Sequence, residues 1–302
     1  MPVRIAVVGS LMMDLVVRAP RLPVAGESLL SRSFQTSPGG KGGNQAIAAA
    51  NLGASVTMIG RIGPDRFGEI LRTCLEAAGV DTRFVSMDDE IGTGVAVPIV
   101  IDSGENAILT VPQANLALSR DDIEAARDAI AAADMLMVQF EVGMEATLAA
   151  MRLAREASVP VLLNPAPVAE HPAEMPGLAS VIVANEIEAA ALAPGAGGDH
   201  ARALAALRRH SAKAVITLGG DGCLVDDGGV VKAVEAFPVD AVDSVGAGDA
   251  FCAALAVALC DGANLAEAAR FANAAGAIAV TAVGAQSSLP TRMQVEALLG
   301  GR

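Results

Sequence analysis

Short, predominantly apolar runs recur along this chain, at Ile5–Val8, Val56–Ile59, Met135–Val138, Val159–Leu163, Val181–Val183 and Ala214–Leu218. Runs without polar alternation read as strands buried on both faces, the kind that fill the middle of a parallel sheet. Between them lie Ala-rich stretches with helical periodicity, at Asn44–Leu52, Phe67–Ala78, Arg120–Ala132, Glu145–Ala157 and Ala201–His210. Ala favours helix, and strand–helix alternation of this kind specifies an α/β fold with a doubly wound, mostly parallel sheet flanked by helices.

Two stretches break the alternation. Val16–Thr36 carries Pro20, Pro23 and Gly26, and in Thr93–Thr110 the runs Val95–Ile101 and Ala107–Thr110 flank the turn Asp102-Ser103-Gly104-Glu105. Both predict strands without helices, inserted at about 15–36 and 93–110, that form a small β-sheet lid over a cleft at the ligand-binding end of the main sheet. The last third adds a hairpin, Cys223–Val225 and Val230–Val234, and two long helices, Ala247–Cys260 and Leu265–Thr281. The 302 residues, 53% of them hydrophobic, are expected to fold as a single α/β domain.

Charge and composition remove several functions. Lys and Arg total 21 against 34 Asp and Glu, a formal charge of −13, and no basic stripe exists to track phosphates, so neither nucleic acid nor an anionic membrane is an expected partner. The longest apolar stretch, Ala250–Cys260, is too short to cross a bilayer. The start of the chain lacks the charged and apolar regions of a signal peptide, and Cys74, Cys223, Cys252 and Cys260 are scattered, which together predict a cytoplasmic protein with buried thiols. His171, His200 and His210 show no zinc-ligand spacing and are expected at the surface.

Chemistry concentrates in Val242–Phe251, where a Gly-rich turn opens into a long apolar helix. Backbone amides of Gly246, Ala247 and Gly248 would form an anion hole for a transferring phosphoryl group. Asp249 admits two readings at this point, a helix-capping carboxylate that offsets the dipole or a proton acceptor for a substrate hydroxyl. Gly246-x-Gly248-x-x-Phe251 lacks the third small residue of a dinucleotide fingerprint, which weakens a dinucleotide oxidoreductase as the third reading, one that absence of NAD binding would close; Lys41 is followed by Gly rather than Ser or Thr, so the motif excludes a P-loop enzyme.

An ordered series of motifs spans essentially the whole chain: Val8-Gly9-Ser10 with Asp14, Gly39–Ala46, Gln139-Phe140-Glu141, Asn164–Pro167, Asn185–Glu188, Thr217–Gly222, Asp243–Asp249 and Gly284–Pro290. This series resembles the ribokinase-like, or PfkB, carbohydrate kinases. The resemblance implies an ATP-dependent sugar kinase that phosphorylates the 5-hydroxyl of a pentose, D-ribose first, with Asp249 as the catalytic base. It implies a sugar site at Met12, Asp14, Gly40, Lys41, Asn44 and Glu141. ATP would lie across Thr217, Leu218, Gly219, Gly220, Asp221 and Gly222, with Asn185 reaching a phosphate and Gly248 and Asn273 bordering the nucleotide. Mg²⁺ would be organised through Asn185 and Glu188. A K⁺-type cation would sit on Asp243, Ser288 and the carbonyls of Val245, Ala279, Ala282 and Gly284. Pairing of lid sheets would make a homodimer.

Bland readings compete at several of these positions. Asp14 also suits a turn cap, Lys41 an ordinary exposed lysine, Asn185 a helix N-cap, and Phe251 and Phe271 the core. Met12 stands where ribokinases usually carry Asn and where the deoxyribokinase subgroup carries Met, which makes 2-deoxy-D-ribose the alternative substrate; the competing reading is simple packing. Asn273 stands where some members place His against adenine. A sugar-binding regulatory protein on the same fold is the non-enzymatic alternative.

Overall fold

The computed structural model describes residues 1–103 and 106–301, so Gly104 and Glu105 of the anticipated lid turn lie outside the described residues. In chain order the first half comprises β1 (Arg4–Val8), β2 (Met12–Ala19), β3 (Ser33–Gly39), α1 (Lys41–Asn51), β4 (Ser55–Ile62), α2 (Arg66–Ala77), β5 (Asp81–Met87), β6 (Gly94–Ile101), β7 (Asn106–Val111), α3 (Arg120–Ala125) and α4 (Arg127–Ala131). The second half comprises β8 (Met135–Val138), α5 (Met144–Glu156), β9 (Val161–Leu163), β10 (Val181–Asn185), α6 (Glu186–Leu192), α7 (His200–Leu207), β11 (Lys213–Thr217), β12 (Cys223–Asp227), β13 (Val230–Val234), α8 (Ala247–Cys260), α9 (Leu265–Ala279) and α10 (Arg292–Gly300).

The main sheet has nine strands in the order β13-β12-β11-β10-β9-β8-β1-β4-β5. Its pairs are parallel from β5 through β11, and only the β11–β12 and β12–β13 pairs are antiparallel. Ile5–Val8 are buried on both faces and separate two apolar layers: Val7 belongs to the layer that holds α1, α8 and α9, while Ala6 and Val8 belong to the one that holds α5 and α7. β1 is therefore fully enclosed, as its lack of polar alternation requires. β4 pairs with one side of β1 and β8 with the other, so strand order reverses there. In open α/β sheets the crevice beyond the carboxyl end of such a reversal is where ligands bind.

β3-β2-β6-β7 form a separate four-stranded sheet, as the two interruptions of the alternation predict. Its first strand starts at Met12, earlier than expected, and this puts Asp14 inside a strand rather than on a turn. The helix anticipated over Arg120–Ala132 is broken: the Ala126 amide bonds the Ile123 carbonyl at 3.1 Å, a tight turn after which the helix restarts at Arg127. Among the described residues no helix is long and apolar enough to cross a membrane. The cysteines are unpaired; Cys223 and Cys252 are buried, Cys74 and Cys260 partly so.

Candidate active site

The chain leaves β1 through Gly9 and Ser10 and returns to the same place at the start of α1. The two backbones touch, since a Cβ on Gly9 would lie 2.7 Å from Gly42 Cα and 2.1 Å from Gln139 Oε1. Only glycine permits this approach. The Gly43 amide then bonds the Ser10 carbonyl at 2.9 Å, and the Lys41 amide bonds Glu141 Oε2 at 2.9 Å. Ser10 Oγ also donates to Glu141 Oε2. Glu141 thus caps α1 from the far side of β8, and the amide of Lys41, expected to face the sugar, is already engaged.

Asp14 lies opposite Ser37 on β2, two residues from Met12 and on the same strand face. Gly39 leaves room for its carboxylate, because a Cβ there would lie 2.4 Å from Asp14 Oδ2. Met12 is 1% exposed, paired with Gly39 on β3 and Gly94 on β6. Gly40 precedes α1 with φ +85°, immediately over the Ser10–Met12 backbone.

Asp249 is 7% exposed and sits in the first turn of α8. Asn44 Nδ2 donates to its Oδ2 at 2.9 Å and Gln45 Nε2 to its Oδ1 at 3.1 Å. The carboxylate is therefore buried with both oxygens hydrogen-bonded by amides of α1. Asn44 Oδ1 is buried and, among the described residues, receives no hydrogen bond. Gly246 precedes α8 in the left-handed region, φ +82°, with no side-chain cap. The Ala247 amide bonds the Ser244 carbonyl at 3.3 Å; the next amides of a first turn have no intrahelical acceptor. Gly248 is exposed, and a Cβ added to it would meet nothing within 4 Å. This start is open to an anion.

Burial and mutual repulsion raise the carboxyl pKa values here. Asp14 is pushed up to about 7, by burial first and then by Glu141 and Asp249, against the pull of Lys41. Burial likewise raises Asp249, opposed by Lys41 and by the amides of Asn44 and Gln45, and raises Glu141, opposed by Lys41. For Lys41 burial acts downward, but Asp249, Glu141 and Glu188 outweigh it and its pKa rises. The lysine is thus no ordinary surface residue; it is the cation of a carboxylate cluster.

Asn185 caps α6 in a reciprocal box with Glu188: the Glu188 amide bonds Asn185 Oδ1, and the Asn185 amide and Nδ2 bond Glu188 Oε2 and Oε1, all at 2.9 Å. The bland reading of Asn185 therefore describes its local bonding. Thr217–Gly222 turn from β11 into β12 with Gly219 and Gly220 exposed. Asn273 is 8% exposed and spends Nδ2 on the carbonyls of Val234 and Glu235 at 3.0 and 3.1 Å, pinning the exit of β13. Asp243 Oδ1 accepts from the Val245 amide at 3.1 Å and Oδ2 from the Gly284 amide at 2.9 Å, tying the turn before α8 to the loop after α9. Ser288 Oγ donates to the Ala285 carbonyl at 3.0 Å. Among the described residues the carbonyls of Val245, Ala279, Ala282 and Gly284 accept no hydrogen bond. Two surface cavities, of about 420 and 460 Å³, lie elsewhere, beside Arg4 and Arg83 and beside Arg270 and Arg292.

The sequence reading assigned no role to Ser10, Gln45, Gln139 or Asn164, all buried polar residues of this region. The available signal was position: Ser10, Gln139 and Asn164 each follow an apolar strand at its carboxyl end.

Comparison with known proteins identifies the family. A profile described as pfkB family carbohydrate kinase matches residues 3–292. The ribokinase of Bacillus subtilis is 40% identical, over 98% of this chain and 99% of that protein. A deoxyribokinase of Salmonella typhi is 34% identical over 95% of each. The structure of Arabidopsis thaliana ribokinase complexed with ribose and ATP superposes with a TM-score of 0.90 at 30% identity, covering 99% of both chains. A glycine-opened helix start with a buried carboxylate, a doubly wound sheet with a small second sheet, and a match along nearly the whole length together make this chain a member of the pfkB family of carbohydrate kinases.

Proposed function

We propose that the chain transfers the γ-phosphoryl group of ATP to the 5-hydroxyl of D-ribose, giving D-ribose 5-phosphate and ADP. The observation that carries this is Asp249, a buried carboxylate whose two oxygens accept amide hydrogens at the mouth of an uncapped helix. Asp249 takes the proton of the hydroxyl as that oxygen attacks the γ-phosphorus, the bond to the bridging oxygen breaks, and ADP leaves. Amides at Gly246, Ala247 and Gly248 hold the equatorial oxygens, the electrostatic part that dominates phosphoryl transfer. Asp14 and Asn44 hold sugar hydroxyls; the unpaired Asn44 Oδ1 gains a donor on binding. The adenosine phosphates lie along Thr217–Gly222 with Asn185 nearby.

Glu188 fits Mg²⁺ held through water, because each of its oxygens accepts one hydrogen bond and keeps further lone pairs; bound there, the ion would neutralise phosphate charge. The unused carbonyls of Val245, Ala279, Ala282 and Gly284 suit a large monovalent cation such as K⁺, which would steady the 246–248 turn from behind; Asp243 and Ser288 tie the loops together. The four-stranded sheet serves as a lid that excludes water and limits ATP hydrolysis. On the face opposite Asp14 it exposes Phe34, Leu109 and Val111, an apolar patch suited to a homodimer; the scattered, unpaired thiols suit the cytoplasm.

Met12 favours a second substrate reading. Its thioether is fully buried on the strand face that carries Asp14, so a hydroxyl placed against it lacks a partner, and 2-deoxy-D-ribose escapes that cost. ADP release over a panel of pentoses, with K⁺ and in buffer free of monovalent metal cations, tests these readings. Ribose is expected to lead and K⁺ to stimulate. A leading 2-deoxyribose would replace the first substrate, no K⁺ response would remove the cation site, and no sugar-dependent ADP would leave a sugar-binding regulator.

A further inference from the structure

We infer that Gln45 is a positioning residue for Asp249: a buried chain of side-chain amides, anchored on a backbone carbonyl of β10, fixes the way Gln45 faces and makes Asp249 Oδ1 an acceptor. The inference rests on the reading of Asp249 as the base.

The direction of every amide follows from the end of the chain. The Val183 carbonyl can only accept, and Asn164 Nδ2 donates to it at 3.1 Å. Asn164 Oδ1 is thereby turned toward Gln45 and accepts Nε2 at 3.2 Å. The second hydrogen of Gln45 Nε2 goes to Asp249 Oδ1 at 3.1 Å, while Gln45 Oε1 accepts Gln139 Nε2 at 2.6 Å. Gln45 and Gln139 are 0% exposed, so no water competes for these positions. A reversed Gln45 would set its carbonyl oxygen against both Asn164 Oδ1 and the carboxylate, and its nitrogen against the nitrogen of Gln139. Three strand ends, β8, β9 and β10, thus orient one carboxylate on α8 through one residue of α1.

Other groups that act on Asp249 stay in place when Gln45 is changed: Lys41 on α1, Asp14 on β2, Glu141 after β8, Glu188 on α6 and Cys252 on α8 itself. Gln45→Leu keeps the side-chain bulk and removes the donor. Losing an N–H bond to the ionised form raises a carboxyl pKa, so the Asp249 titration should move upward.

The test is carbon-13 NMR titration of the aspartate carboxyl carbons, with the Asp249 signal assigned from its loss in Asp249→Asn. In Gln45→Leu the Asp249 midpoint should rise by about one pH unit, the acid limb of kcat should rise with it, and kcat well above that limb should return to within about threefold of the wild type. A midpoint unchanged in the folded variant would overturn the inference, whatever happens to kcat. If Gln45→Leu does not fold, Asn164→Leu removes the anchor that fixes the Gln45 amide and should move the midpoint upward by less; no movement there also overturns it. A midpoint that shifts while the kcat limb does not would uphold the positioning and remove Asp249 as the base.

Discussion

α6 and α8 begin at the same edge of the sheet with opposite solutions to one problem, the amides that a first helical turn leaves without acceptors. At α6 the chain answers from within: Asn185 and Glu188 satisfy each other's backbone and close the turn. At α8 it declines to answer, for Gly246 has no side chain, adopts the left-handed region and leaves Gly248 facing open space. α9 and α10 are closed in the manner of α6, by Asn264 with Glu267 and Thr291 with Gln294. Local stability was available at α8 and is absent, and the carboxylate beside it is the buried Asp249. A helix start left open next to a titratable group marks the place where an external anion completes the structure.

The sharpest way to break this contrast is Asp249→Asn, which keeps both shape and burial. Turnover should fall by about 10²–10⁴-fold with sugar affinity, measured by calorimetry, within a few-fold of the wild type. Next comes Gly248→Val. Nothing opposes the added side chain, so the melting temperature should hold, but it covers the open turn and kcat should drop by about 10- to 100-fold.

Asp14→Asn acts on both binding and stability. The folded Asp14 titrates at about 7 against an ordinary 3.8, so between those values the native state binds more protons than the unfolded one and wild-type stability falls as pH rises. The variant should lose sugar affinity, flatten that decline in urea melts, and be the more stable of the two above pH 7. A parallel pH dependence in both proteins would contradict the assignment. The smallest effect belongs to the closed helices: Asn264→Ala should cost about 1 kcal/mol in urea unfolding and leave kcat and KM unchanged. A loss of activity there would blur the distinction between closed and open starts.

Much of this architecture was legible in the sequence because burial on both faces leaves an unmistakable run of apolar residues. Ile5–Val8 and Met135–Val138 show it, as does the apolar helix Ala247–Cys260, whose bounds the structure reproduces. β5 left no such trace, since an edge strand reading Asp-Thr-Arg-Phe-Val-Ser-Met is half exposed. α10 is short and begins on a polar cap, and it too escaped the reading, whereas α6 showed itself only through the N-cap reading of Asn185. In the site, Asp249 and its glycine turn form one contiguous motif. The amides that orient it do not, for Gln45 and Asp249 are separated by 204 positions and only the winding of the sheet brings them together. Asn273 is assigned to the adenine only by its place in the series, and its amide is spent on the exit of β13.

Phosphorus-31 NMR of the wild-type protein turning over ATP with a single pentose tests the account most directly. It predicts one phosphomonoester signal, split by the two protons on C5, growing in step with ADP and only when the sugar is present. Inorganic phosphate as the sole new signal, at a rate indifferent to sugar, would contradict it.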